Sequence, residues 1–341
     1  MAISRALIGL SLGVFLNAFA NQAAAGDQAP PVVAEVDGQK LTRADLEQKQ
    51  GAKLLQARYQ QYLAEREALD QLIDQQLLEM QADREHVSVE ELLQREVTGR
   101  VKDPTEDQLQ VFYEGLKTTE PFDAVRDKIL GTIRQIRLGK ARSAYVQSLR
   151  SQASVRILLT PPNAQMTPDN AQRRGPENAP VLLVEFADYE CPYCQAVHPE
   201  LKKLQDEFGD KLAVVFKDFP LPMHANAQKA AEAARCAGAQ GRFWDFHDRL
   251  FSNGRKFELA QLKEQARTLG LDGARFDRCL DANEQAGAVQ KDFAEGQRLG
   301  LTGTPSFFIN GHFLSGAVKY ATLREIVGQQ LATSTKDTSS K

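Results

Sequence analysis

A continuous apolar run, Val181-Leu182-Leu183-Val184, is followed seven residues later by Cys191-Pro192-Tyr193-Cys194. The run suits a strand buried on both faces. The proline behind the first cysteine suits the first turn of a helix, where no backbone donor is lost. A buried strand that leads into the head of a helix carrying two thiols restricts this part of the chain to an α/β fold. The same placement carries chemistry, because two thiols at this spacing can close a small disulfide. Unpaired N–H groups and the positive end of the helix dipole favour a thiolate at Cys191, so its pKa is expected below the roughly 8.5 of a free thiol. Cys191 is then the attacking group and Cys194, one turn in, the resolving one. A zinc site is the competing reading. It needs two further ligands, and neither Cys236 and Cys279 nor the five histidines show ligand spacing, so no metal and no cofactor beyond the Cys191–Cys194 disulfide are expected.

The compartment follows from the other end of the chain. Arg5, an apolar run from Ala6 to Ala20 and the small residues Ala23-Ala24-Ala25 have the layout of a cleavable secretory signal over residues 1–25. A retained anchor is disfavoured, since a run of about 15 residues is short against the roughly 20 that span a bilayer. The expected location is the periplasm, where disulfides persist. All four cysteines lie beyond residue 190, so the N-terminal half contributes through binding or assembly. A formal net charge of -3 gives no reason to expect nucleic acid as a partner.

Val32–Val36 reads as a strand, Asp37-Gly38 as a turn and Thr42 as a helix N-cap, opening a mainly helical region over 32–152. Leu69, Leu72, Ile73, Leu77, Leu78 and Met80 form its first apolar stripe. Ser88 with Glu91 suits a capping box, Asp103-Pro104 opens a third helix, and a strongly basic fourth runs from Phe122 to Leu149. That fourth helix is read as a solvated amphipathic helix, with a surface for unfolded or acidic clients as the alternative. A strand is expected at Val155–Leu159. Residues 161–179, rich in Pro, Asn, Gln and Arg, read as a linker. Beyond it come the buried strands, helices from Ala225 to Leu299, a hairpin at Asn310-Gly311, a helix from Tyr320 to Leu331 and a disordered tail, 333–341.

Glu185, six residues before Cys191, and Lys217, at the end of the second strand, are candidates for a buried acid and base that tune proton transfer to the thiols; a structural ion pair is the alternative. Gly303-Thr304-Pro305 precedes the hairpin. Either a cis or an ordinary trans peptide fits there, and a cis one leaves the Thr304 backbone facing Cys191, ready to pair with an extended client. Cys236 and Cys279 read as a structural disulfide, with free thiols or a second redox pair left open. Phe243, Trp244 and Phe246 read as core, and His198 and His224 as flanking the active face.

Three stretches, Glu185-Phe186 through Cys191-Pro192-Tyr193-Cys194, Lys217-Asp218-Phe219-Pro220 and Gly303-Thr304-Pro305, together resemble a DsbA-type thioredoxin-fold oxidoreductase over residues 177–332. The resemblance implies a thioredoxin-like α/β fold with a helical insertion, a cis Pro305, Glu185 and Lys217 as the buried acid–base pair, and unfolded or misfolded secreted proteins as clients. It also implies a membrane redox partner that recharges the dithiol. Tyr193, after Pro192, is similar to the glutaredoxin and periplasmic isomerase pattern and points to client contact. Residues 32–150, with Val33-Ala34-Glu35-Val36-Asp37-Gly38 and Leu69-Asp70-Gln71-Leu72-Ile73, resemble the helical chaperone domain of SurA-like and parvulin-type foldases, which implies client holding or a homodimer through this region. The expected function is thiol–disulfide exchange with folding proteins, as isomerase or reductase or as oxidase. A holdase chaperone with a structural thioredoxin-like part is the alternative.

Overall fold

The computed structural model describes residues 31–164 and 172–338. The signal expected over 1–25 lies outside them. β1 (Val32–Val36) and β2 (Gln39–Thr42) form an antiparallel hairpin whose turn residues Asp37 and Gly38 both have positive φ, as a two-residue hairpin of this hand requires. Thr42 caps α1 (Arg43–Glu85): its Oγ1 accepts from the Asp45 N–H at 3.2 Å, and Asp45 Oδ2 accepts from the Thr42 N–H at 2.8 Å. The described residues up to Lys49 form one compact unit, and those from Gln50 onward a second.

In the second unit α1 is followed by α2 (Val89–Glu96), α3 (Glu106–Glu114) and α4 (Phe122–Gln152). The Ser88–Glu91 capping box forms, whereas α3 is capped by Thr105 with Gln108, two residues beyond the Asp103-Pro104 start read from the sequence. Leu77, Leu78 and Ala82 pack with Leu92, Val146 and Leu149. Leu72, about half a turn away from that face, and Met80 are exposed, so the buried stripe is narrower than expected. Four of the basic residues of α4, Arg126, Arg134, Arg137 and Arg150, are tied to neighbouring helices or to the loop before α3. Arg126 pairs with Glu106, Arg134 Nε donates to Asp103 at 2.8 Å, and Arg150 Nε donates to Asp74 at 2.6 Å. Much of the charge thus belongs to helix packing.

The expected strand at Val155–Leu159 is absent. That stretch is irregular, with Ile157 buried and Leu158 exposed. The Ile157 carbonyl accepts from the Gln329 side chain at 2.8 Å. The described residues of the 161–179 segment join the sheet: Asn163 bridges His312, and β3 (Arg173–Arg174) forms an edge strand. Next come β4 (Val181–Ala187), α5 (Pro192–Phe208), β5 (Leu212–Asp218), five helices, and the hairpin of β6 (Ser306–Ile309) and β7 (His312–Ser315). The five helices are α6 (Ala227–Gly238), α7 (Phe243–Ser252), α8 (Leu259–Thr268), α9 (Gly273–Asp281) and α10 (Ala286–Arg298). The last element, α11 (Tyr320–Thr338), continues into the tail expected to be disordered. The sheet order is β3-β5-β4-β6-β7, with β4 and β5 parallel and the other pairs antiparallel.

The core around this sheet, including Val181, Leu183, Phe308 and Phe313, takes in Leu55, Tyr59 and Tyr62 of α1. The Tyr59 hydroxyl accepts from the Ser315 N–H at 3.0 Å, and Arg66 grips Glu325 with two bonds of 2.7 and 2.9 Å. On the β5 side α10 approaches so closely that a Cβ on Gly296 would lie 2.6 Å from the Phe219 ring. Among the described residues no helix is long and apolar enough to cross a membrane.

Candidate thiol active site

Cys191 is the N-cap of α5, with extended backbone (φ -72°, ψ 122°) and Pro192 in the first turn. Its N–H donates to the Asp188 carbonyl at 3.1 Å, and its Sγ lies 3.5 Å from the Thr304 carbonyl oxygen. The Thr304–Pro305 peptide is cis. Both thiols are free and largely covered. Their environments differ. The Cys194 thiol donates to Cys191, and with Thr304 and the backbone N–H groups of Cys194 and Tyr193 this brings the Cys191 pKa down to about 5, against the opposing effect of burial. Burial pushes the Cys194 thiol well above its ordinary value, and the neighbouring Cys191 and Glu185 charges push it further. At neutral pH the pair is one thiolate and one thiol.

The expected pairing of Glu185 with Lys217 does not form, and strand register is the reason. Parallel pairing sets Glu185 beside Phe216 and Phe186 beside Lys217, so alternation sends Glu185 and Lys217 to opposite faces of the sheet. Glu185 stays on the Cys194 side, where burial lifts its carboxyl to about 8. Lys217 lies on the α10 side, 3.0 Å from Glu295 Oε2 and 3.3 Å from Asp292 Oδ1.

Lys217 belongs to a buried ionic network that sequence reading missed. Arg235 pairs with both Asp218 and Asp292, and the Asp218 N–H donates to Asp292 Oδ2 at 3.1 Å. Burial raises the Asp218 carboxyl to about 6 and that of Asp292 above its usual range. Asp188, three residues before Cys191, was also missed. Its Oδ1 accepts from the Glu190 N–H at 2.7 Å, its Oδ2 accepts from the Leu221 N–H at 2.8 Å, and His224 Nδ1 lies 2.7 Å from that same oxygen. Asp188 thus ties the loop before Cys191 to the 221–224 loop, whose Met223 is 80% exposed; Tyr193 is 64% exposed. A buried Asp in a turn leaves no periodic signal.

Cys236 and Cys279 form a disulfide between α6 and α9. Phe243 and Phe246 are core residues, and Trp244 is partly buried against the core. His224 lies beside the thiol loop as expected. His198 instead turns towards α7, stacking on Phe251 at 4.9 Å between ring centroids.

Residues 168–329 match the thioredoxin family model and residues 2–124 that of the SurA-like N-terminal domain. The chain is similar to the Na(+)/H(+) antiporter NhaA 3 of Salinispora tropica, 36% identical over 176 residues, which is 51% of this chain and 26% of that protein. It therefore spans about a quarter of the length of the curated relatives it matches. Similar solved structures include a thioredoxin-like oxidoreductase from Silicibacter pomeroyi, 30% identical, covering 48% of this chain and 94% of that one with a TM-score of 0.45. The catalytic domain of Proteus mirabilis ScsC is 29% identical and covers 48% and 91%, with a TM-score of 0.43. Strand order, family match and the position of the helices agree: the C-terminal part of the chain is a thioredoxin-like α/β fold with a helical insertion, behind a helical N-terminal region matching a SurA-like domain.

Proposed function

We propose that the protein exchanges disulfides with folding proteins in the periplasm, with Cys191 as nucleophile and Cys194 as resolving thiol. The observation that carries this reading is the asymmetry of the pair: an acidic thiol at the N-cap of α5, backed by a buried one of raised pKa. In the reducing direction the Cys191 thiolate attacks one sulfur of a client disulfide and the other client sulfur leaves as thiolate. Cys194 then loses its proton and attacks Cys191 Sγ, which forms the Cys191–Cys194 disulfide and frees the second client thiol. The client gains two electrons and the pair loses two. Oxidation is the same sequence reversed. Glu185, buried on the Cys194 side with a carboxyl near pKa 8, is suited to take the Cys194 proton.

An extended client segment pairs with the Thr304 backbone, a reading supported by its position beside Cys191, and packs against the exposed ring of Tyr193. Tyr193 at this place favours isomerase or reductase work on misfolded clients. The helical region holds the client or forms a homodimer, and a membrane redox partner recharges the pair. An insulin-reduction and refolding assay tests the reading: activity in wild type and none in Cys191→Ser supports it, and equal activity in both refutes it. Residues 2–124, matching a SurA-like domain, favour a second reading as holdase. Aggregation suppression by Cys191→Ser/Cys194→Ser protein, with no exchange in wild type, would favour that one.

A further inference from the structure

Behind the thiol helix, α5 and α7 bring together His198, His247 and Asp248, whose ligand atoms all lie within 4.8 Å of one another. His198 sits one turn beyond Cys194 on the same side of α5, and His247 and Asp248 are consecutive on α7. His198 Nε2 is 3.7 Å and His247 Nε2 4.0 Å from Asp248 Oδ1. That oxygen is buried and has no hydrogen-bond partner among the described residues, although the other oxygen of the same carboxylate accepts from Arg174 Nη2 at 2.9 Å. A buried carboxylate oxygen left without a donor is costly, and here the groups facing it are two imidazoles.

The geometry points to a binding site for a late first-row divalent cation such as zinc, held by His198 Nε2, His247 Nε2 and Asp248 Oδ1 with a fourth position left for water. Tetrahedral zinc with bonds of about 2.1 Å sets its ligands roughly 3.4 Å apart, so His198 and Asp248, 3.7 Å apart, and His247 and Asp248, 4.0 Å apart, must draw together, and the two imidazoles, within 4.8 Å, close by up to about 1.4 Å through side-chain rotation. The supporting contacts are those of a built site. His247 Nδ1 is 3.0 Å from the buried Tyr189 hydroxyl, which can accept its proton in the metal-bound tautomer and so leave the Nε2 lone pair for the ion. Asp248 is steadied by Arg174, which lies 4.3 Å over the Trp244 ring. Phe216, Phe243 and Phe251 wall the cluster, and His198 and Asp248 retain the partial exposure through which an ion enters. The Arg174 charge makes this a weaker site than one of four anionic or neutral ligands. Sequence spacing hid it, because His198 and His247 stand 49 positions apart.

This inference is independent of the redox reading, and its test keeps the two apart. Full-length Cys191→Ser/Cys194→Ser protein, in which the thiols cannot bind metal, is dialysed to equilibrium against zinc chloride. His198→Gln and Asp248→Asn are compared in the same background, with circular dichroism as the check of folding. The expected result is one zinc per chain, with affinity weakened more than about tenfold by either substitution, and a tetrahedral Co(II) spectrum on cobalt replacement. No bound zinc in the folded background protein, or unchanged affinity in a folded variant, overturns the site. Should His198→Gln fail to fold, Asp248→Asn decides alone.

Discussion

Titration of the reduced protein should find Cys191 half ionised near pH 5. At pH 7 the thiolate then outnumbers the thiol about a hundredfold; at pH 4 only about one molecule in eleven is ionised. Iodoacetamide should therefore alkylate Cys191 about tenfold more slowly at pH 4 than at pH 7, with the 240 nm thiolate absorbance falling in parallel. The same shift is a stability statement. A thiol depressed from 9.0 to about 5 stabilises the folded reduced state fully above pH 9, and that stabilisation is lost as pH falls through 5. At pH 7 half of that stabilisation is present, about 2.7 kcal/mol at 1.36 kcal/mol per tenfold change in proton activity. The disulfide form lacks this contribution, and groups common to both forms cancel in the difference between them. Urea unfolding of reduced and oxidised protein should thus show the reduced form losing about 2.7 kcal/mol relative to the oxidised one between pH 7 and pH 4. Because the Cys194 thiol is the largest cause of the shift, Cys194→Ala should raise the midpoint, while Cys194→Ser, which keeps a donor, should largely preserve it. A midpoint at or above 8 in wild type, or no upward shift in Cys194→Ala, refutes the reasoning.

Glu185→Gln removes the carboxyl, near pKa 8, that takes the Cys194 proton, so the resolving step should slow and lose the part of its rise with pH that follows ionisation of that carboxyl between 7 and 9, read by stopped-flow release of a mixed disulfide; an unaltered profile contradicts this. Arg235→Ala takes the guanidinium from buried Asp218 and leaves Asp292 with Lys217 as its cation, and should cost about 3–5 kcal/mol in urea unfolding. Gly296→Ala forces a Cβ against Phe219 and should cost about 1–3 kcal/mol in the same assay, through overpacking. Replacing Cys236 and Cys279 by Ala opens a loop with a sequence separation of 43, for which chain entropy gives about 4 kcal/mol; a loss below 1 kcal/mol would contradict a stapling role.

What could be read from the sequence was whatever depends on local pattern. The switch from helical periodicity to the Val181–Val184 run, the cysteine pair behind it and the Asn310-Gly311 turn are all short-range signals, and the corresponding strands, helix and hairpin lie where they were expected. What depends on register or on distant partners was hidden. Whether Glu185 meets Lys217 turns on a one-residue offset between β4 and β5, which no spacing within either strand reveals. Val155–Leu159 has strand composition, yet no strand edge pairs with it. The ionic network of Lys217, Asp218, Arg235, Asp292 and Glu295 draws on three elements, and Arg235 in an alanine-rich helix reads as surface until α10 covers it. Packing of Tyr59 and Tyr62 of α1 into the sheet core likewise joins segments more than a hundred residues apart.

The central claim is that Cys191 attacks protein disulfides and Cys194 resolves the adduct. Incubating Cys194→Ser protein with scrambled ribonuclease and analysing the products by non-reducing electrophoresis and peptide mass spectrometry tests it directly. The account predicts a stable covalent complex joined through Cys191, which wild type resolves and does not accumulate. Absence of any adduct, or one joined through Cys236 or Cys279, would contradict it.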